Sequence, residues 1–366
     1  MKIQEIVQVL ETVAPPALQE SYDNSGLLTG QPGWECKGIL VSLDCTSAVL
    51  EEAIEKGCNM IVAHHPILFK GLKKITGSNY VEQTLILAIK HDIAIYAIHT
   101  NLDNTILGVS GRMADLLGLE NRRVLVPKEN ILRMLSVFVP QTHKEKLLNA
   151  LFEAGAGEIG NYSECSFAQE GEGSFKPGSG ANPFVGQHHE RHIEKEVKLE
   201  LVFEYWRESK ILQAMKRVHP YEEIAFQIYQ IQNTYAGAGA GITGDLPQEY
   251  SEAEYLSILQ NRFQVPVVKH SPLTGKKIKK VALCGGAGSF AIPYAKVSGS
   301  DVYITGDLKY HEYFDAEGQI LLADIGHYES EQFTIDLLVE VLSKNFTNFA
   351  VLKTGVQTNP VHYFQG

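Results

Sequence analysis

Met60-Ile61-Val62-Ala63-His64-His65-Pro66 is a short apolar run, partly β-branched, that ends on two adjacent histidines. Its length and composition read as a buried strand, and Pro66, with no N–H to give a ladder, keeps that strand from simply continuing. Neighbouring side chains on an extended strand point to opposite sides, so His64 and His65 do not easily grip one ion together. They could serve two ions lying side by side. Taken alone, the pair reads more readily as two histidines in a surface loop, and the decision rests on the rest of the chain.

Outward from this stretch, strands and helices alternate. A helix at about 2–14 leads into the polar turn Tyr22-Asp23-Asn24-Ser25-Gly26. Residues 38–43 then read as a strand, 46–56 as a helix, 80–91 as a helix, 93–98 as a strand and 109–117 as a helix. This rhythm predicts βαβ units on a largely parallel sheet.

Near residue 130 the pattern changes. A strand at 132–140, a helix at 142–154 capped by Thr142, and the stop Gly155-Ala156-Gly157 are followed by an extended piece at 163–168 and a Gly-, Ser- and Pro-rich stretch at 170–186. A strand at 196–205, a helix at 208–218 and a strand at 223–231 complete a βαββαβ order. The expectation is a ferredoxin-like insert spanning 131–235, which splits one α/β domain into halves at 1–130 and 236–366. The run Tyr235-Ala236-Gly237-Ala238-Gly239-Ala240-Gly241-Ile242-Thr243-Gly244 reads as a flexible return linker. From residue 251 the alternation resumes, with strands at 265–269, 279–283, 301–304, 319–323 and 349–353, and a helix at 328–343.

Composition bounds the possibilities. A chain of 366 residues is long enough for two or three domains, each with its own core. A formal net charge of −11 disfavours indiscriminate binding to nucleic acid or to anionic membranes, both of which need clustered cations. The run Lys276-Lys277-Ile278-Lys279-Lys280 reads as a solvated lead-in to a strand. Five cysteines, without a C-x-x-C pair, argue against a disulfide framework or a zinc knuckle and fit a reducing cytoplasm. No apolar run approaches bilayer-spanning length, the start carries no secretory pattern, and the closing Tyr363-Phe364-Gln365-Gly366 reads as native chain.

Chemistry collects at strand ends. The run 93–98 is followed by His99-Thr100-Asn101-Leu102-Asp103, and the run 319–323 by Asp324-Ile325-Gly326-His327-Tyr328-Glu329-Ser330-Glu331. Three strands thus release histidines and carboxylates at their carboxyl ends, where open parallel sheets carry ligand sites. His327 and Glu331, four apart at a helix start, share a face. An isolated His-x-x-x-Glu is usually a solvated pair, but three such pieces together point to one centre. Two divalent ions held by His64, His65, Asp103, His327 and Glu331 would have mixed nitrogen and oxygen ligands, with a carboxylate free to bridge. That set suits zinc foremost, or iron, manganese or cobalt, rather than calcium.

These motifs, with Gly285-Gly286-Ala287-Gly288, resemble the GTP cyclohydrolase 1 type 2 homologue family, also called Nif-three-like dinuclear-metal-centre proteins. The resemblance implies that His64 and Asp103 hold one metal and His65 and His327 the other, with Glu331 bridging. The segment containing Val137-Phe138-Val139-Pro140 and His219-Pro220-Tyr221-Glu222-Glu223 is similar to the PII- or CutA-like insert of some members. A toroidal homohexamer is a further implication of the family.

Other candidates carry two readings. The Gly285–Gly288 turn could offer Gly286 and Gly288 N–H groups to an anionic substrate, or simply join a strand to a helix. Asp307 stands behind the metal ligands or caps a helix, and His99 could orient Asp103. His188, His189 and His192 read as solvated surface, and the alternating rings of 202–206 as core or interface rather than a base-stacking platform. The preferred function is hydrolysis of a nucleotide-like or phosphorylated small molecule by a water activated between two ions, without a protein base. Asp23, Asn24, Gly286 and Gly288 are its expected substrate contacts. The alternative is a non-catalytic metal-handling or regulatory protein that senses a small-molecule effector; a toroid on nucleic acid is disfavoured by the acidic charge.

Overall fold

In the computed structural model the described residues are 1–364; Gln365 and Gly366, the end of the stretch read as native chain, lie outside them. Two compact units are present: Met1–Pro127 together with the chain from Ala236 onward, and Lys128–Tyr235.

The first unit holds two sheets rather than one. In the five-stranded sheet the order is Gly26–Thr29, Ala94–Ala97, Met60–Ala63, Ile39–Ser42, Val351–Lys353. Only the first of its pairings is antiparallel. Its three central strands are buried throughout, which is why they read as continuous apolar runs rather than alternating ones. The helices Ser47–Glu55 and Tyr80–Lys90 are capped by the side chains of Thr46 and Asn79.

The six-stranded sheet runs Lys269–His270, Leu321–Asp324, Val302–Gly306, Lys277–Ala287, Gly239–Ser251, Glu120–Pro127. Its pairings are parallel on both sides of Val302–Gly306 and antiparallel elsewhere. The expected flexible linker is thus replaced in part by a strand hydrogen-bonded on both sides. Glycine is needed there for close approach: a Cβ on Gly239 would lie 2.2 Å from the Val126 carbonyl oxygen, and one on Gly241 2.7 Å from that of Leu283. The lysine run belongs to the strand Lys277–Ala287, with Lys279 Nζ donating to the Leu246 carbonyl at 2.6 Å and Lys280 Nζ to that of Ser298. The long helix expected at 328–343 is two, His327–Glu331 and Thr334–Asn345.

The second unit has strands Leu132–Pro140, Phe167–Phe175, His192–Glu204 and Phe226–Gln230, with helices Lys144–Glu153 and Glu208–Val218. Numbered in that order, its strands lie 2-3-1-4 in one antiparallel sheet. Leu135, Val137, Leu199, Leu201 and Phe203 face Leu147, Leu151, Ile211 and Met215 in its core. The Gly-rich stretch is strand only as far as Phe175, and Thr142 lies in a 3₁₀ turn instead of capping the helix. All five cysteines are free, and no helix among the described residues is long and apolar enough to cross a membrane.

Candidate metal centre

His64 and His65 follow Met60–Ala63; His99 and Asp103 follow Ala94–Ala97; His327 and Glu331 follow Leu321–Asp324. The two sheets deliver these carboxyl ends to one place, and the ligand atoms fall into groups whose members lie within 4.8 Å of one another. One group is His64, Asp103 and Glu331, another His65, His327 and Glu331, and a third His64, His65 and His99.

Each imidazole is tethered through Nδ1. That atom lies 2.8 Å from the Ile98 carbonyl in His64, 2.8 Å from Asp44 Oδ1 in His65, 2.8 Å from Asp23 Oδ1 in His99 and 2.8 Å from Asp307 Oδ2 in His327. A carbonyl or carboxylate can only accept, so Nδ1 carries a proton in all four rings and Nε2 is the atom turned to the centre, able to offer its lone pair to a cation once any proton there is displaced.

Glu331 faces both groups. Its Oε1 is 3.8 Å from His64 Nε2, and its Oε2 is 2.9 Å from His65 Nε2 and 3.2 Å from His327 Nε2. Asp103 Oδ1 lies 3.6 Å from His64 Nε2, and the Nε2 atoms of His65 and His327 are 3.4 Å apart. His64 Nε2 and Asp103 Oδ1 are buried without a hydrogen-bond partner, beside the buried Glu331 carboxylate. Unpaired acceptors that converge in this way are costly unless a cation or a proton stands between them. The residues therefore fit divalent ions, and the buried His and carboxylate groups could hold them.

The titration behaviour has the same cause. Burial opposes charge on His65, but hydrogen bonds to Asp44 and Glu331 push its pKa up to about 10. His327, also opposed by burial, is raised to about 9 by Glu331 and Asp307. Burial and then the Glu331 charge drive Asp103 up to about 7. Against its own burial, Glu331 is held well below the usual carboxylate range by His327, His64 and His65. Protons here occupy the place that metal cations would take.

Several expectations need correction. The His99 ring packs edge-on against His64 and His65, with centroids 5.3 Å from each, and its Nδ1 bonds Asp23. Asp23 is no free substrate contact, because it binds His99 and accepts from Thr100 N at 3.0 Å and Ser25 Oγ at 2.8 Å. Asn24 Nδ2 donates to the Leu68 carbonyl at 2.6 Å. The N–H groups of Gly286 and Gly288 donate to Ser330 Oγ at 2.9 Å and Thr305 Oγ1 at 3.0 Å, leaving neither for an anion. Gly286 belongs to the strand Lys277–Ala287. Asp307 holds His327, in a left-handed conformation with φ 57°.

Sequence reasoning missed Asp44. It follows the strand Ile39–Ser42, so the strand-end signal that found the histidines could have found it too. His188, His189 and His192 instead bond locally to Ala181, Ser179 and Glu194.

A Bacillus subtilis (strain 168) protein named GTP cyclohydrolase 1 type 2 homolog is 41% identical over 327 residues, covering 89% of this chain and 88% of its own length. A Halalkalibacterium halodurans relative with the same name is 37% identical over 362 residues, covering 98% of this chain and 97% of its own. The crystal structure of a Bacillus cereus protein related to NIF3 superposes with a TM-score of 0.88 at 34% identity, covering 100% of this chain and 99% of that one. The Duf34/NIF3 (NGG1p interacting factor 3) model matches residues 1–360, and the chain, carrying its His and Glu cluster within that match, belongs to this family.

Proposed function

We propose that the protein is a two-metal hydrolase acting on a nucleotide-like or phosphorylated small molecule. The observation that carries this reading is Glu331, whose two oxygens face separate ligand groups, His64 with Asp103 and His65 with His327. The name of the relatives, GTP cyclohydrolase 1 type 2 homolog, supports a nucleotide-like substrate. When bound, paired divalent ions supply Lewis acidity at neutral pH. The chain's own residues fix the rest: the Ile98 carbonyl, Asp44 and Asp307 set the ring orientations, and Glu331 balances charge between the two sides. Zinc is the proposed metal.

Two structural proposals accompany this one. The strand order and antiparallel pairing of the second unit support a ferredoxin-like fold for it. A homohexamer is proposed from the family resemblance; the exposed rings of Tyr310 and Phe314, 75% and 66% accessible, offer apolar surface for self-association but do not set its number.

The test is to quantify bound metal and screen nucleotides and phosphate esters with metal-loaded and chelated protein, beside Glu331→Gln. Glutamine keeps the size but loses the charge and one acceptor oxygen. Turnover should need metal and fall by orders of magnitude in the variant, while at least one ion stays bound through His64 and Asp103. A fully loaded but inactive wild type sinks the hydrolase reading in favour of a metal-handling protein. One observation favours that second reading: the expected substrate donors at Gly286 and Gly288 are buried and committed inside the protein.

A further inference from the structure

The segment from Thr354 to Val361 has no regular secondary structure, yet it is fastened along its length. Thr354 N donates to the Val41 carbonyl at 3.0 Å, its hydroxyl bonds Glu52, and Gly355 N donates to Glu52 Oε1 at 2.8 Å. Farther along, Tyr328 Oη donates to Gln357 Oε1 at 3.0 Å, and Asn359 Nδ2 donates to Glu329 Oε1 at 3.0 Å. Between these anchors, Thr358 Oγ1 donates to Asp44 Oδ2 at 2.6 Å. The other oxygen of Asp44 takes the Nδ1–H of His65 at 2.8 Å.

We infer that Thr358 is a positioning residue for one ion of the pair, acting through Asp44 on His65, while Asn359 steadies the helix that carries His327. This rests on the metal reading above and adds an asymmetry to it. His65 and His327 belong to one ligand group, and both are supported by this segment. His64 is set instead by the Ile98 carbonyl, and Asp103 meets the centre beside it. A carboxylate that accepts from both a hydroxyl and an imidazole is fixed in rotation. With the hydroxyl gone, Asp44 can turn, and the His65 ring loses its fixed aim.

The experiment is a titration of the metal-free full chain with cobalt(II), read by calorimetry and by the visible absorption of the bound ion, in wild type, Thr358→Val, Thr358→Ser and Asn359→Ala. Valine keeps the shape and removes the hydroxyl. The expected result is one ion weakened by about tenfold, the low end for a group outside the ligand shell, with the other unchanged. Serine should restore wild-type binding, and Asn359→Ala, which loosens the helix that carries both His327 and Glu331, should weaken both ions. If wild type takes up two ions and Thr358→Val binds both equally well, the inference is wrong and the metal reading stands. Equal weakening of both ions by Thr358→Val together with a lower Tm assigns Thr358 a purely structural role and also overturns it. A wild type that binds no cobalt removes the metal reading itself.

Discussion

Gly286 and Glu331 compete for one volume: a Cβ on Gly286 would stand 2.3 Å from Glu331 Oε1. The glycine also has φ +64°, a conformation that costs other residues about 1–3 kcal/mol. Gly286→Ala should therefore push the shared carboxylate out of place and weaken both ions, unlike Thr358→Val, which acts on one. Metal titration of the folded variant checks this; two ions held at wild-type affinity would contradict it.

Asp103 supplies the complementary case. Its Oδ1 is buried, unpaired and 3.6 Å from His64 Nε2, while the His65 and His327 group does not include it. Elemental analysis of reconstituted wild type should find close to two transition ions per chain. In Asp103→Ala one ion should be lost or weakened by at least about tenfold while the other remains. Absence of metal after reconstitution refutes the centre, and equal loss of both ions refutes the division of ligands.

The second unit should be dispensable for metal binding. Pro127 pairs with Gly239 and Val126 with Ala240, so the flanks of the Lys128–Tyr235 unit are antiparallel neighbours within the first unit. A variant joining residue 130 to residue 236 through a short linker replaces that unit by a turn. It should stay folded, by circular dichroism, and retain both ions. A soluble, folded variant without metal would show that the unit is no independent accessory.

Glu82 gives the fold a pH dependence of its own. Its carboxylate accepts from Ser78 N at 3.0 Å, Thr76 N at 2.8 Å and both hydroxyls, which lowers its pKa from 4.5 to about 2. A carboxylate with a depressed folded pKa stabilises the fold above its unfolded value and loses that contribution as pH falls toward the folded one. The Tm gap between wild type and Glu82→Gln should be full above pH 4.5 and shrink on the way to pH 2. Thermal melts across that range decide it; a gap that does not change with pH contradicts the assignment.

The features legible in the sequence are mainly local. Ile39–Ser42, Met60–Ala63, Ala94–Ala97 and Leu321–Asp324 are apolar runs with polar ends, and a strand buried on both faces leaves that mark whatever its partners are. His64, His65, Asp103, His327 and Glu331 are legible because parallel strands of this kind bring the residues just past their carboxyl ends to one edge of a sheet. Pairing partners leave no such mark, so the alternation predicts one sheet where two exist. The stretch 235–244 reads as a linker by composition, although from Gly239 on it is strand, because Gly239, Gly241 and Gly244 answer to neighbouring carbonyls in other strands. Thr358 lies 314 positions from Asp44, and a lone threonine in a loop carries no sign of that partner. The N–H groups of Gly286 and Gly288 look free in the sequence for the same reason, since Ser330 and Thr305 reach them only in the folded chain.

The Nδ1 tethers on His64, His65, His99 and His327 have a consequence for selectivity. Rings whose tautomer and aim are settled during folding leave little to rearrange when an ion arrives, so the entropy of ordering the ligands is not charged against affinity. A cradle so fastened would discriminate among ions by radius and preferred angle, having little freedom to reshape itself around a poorly matched guest.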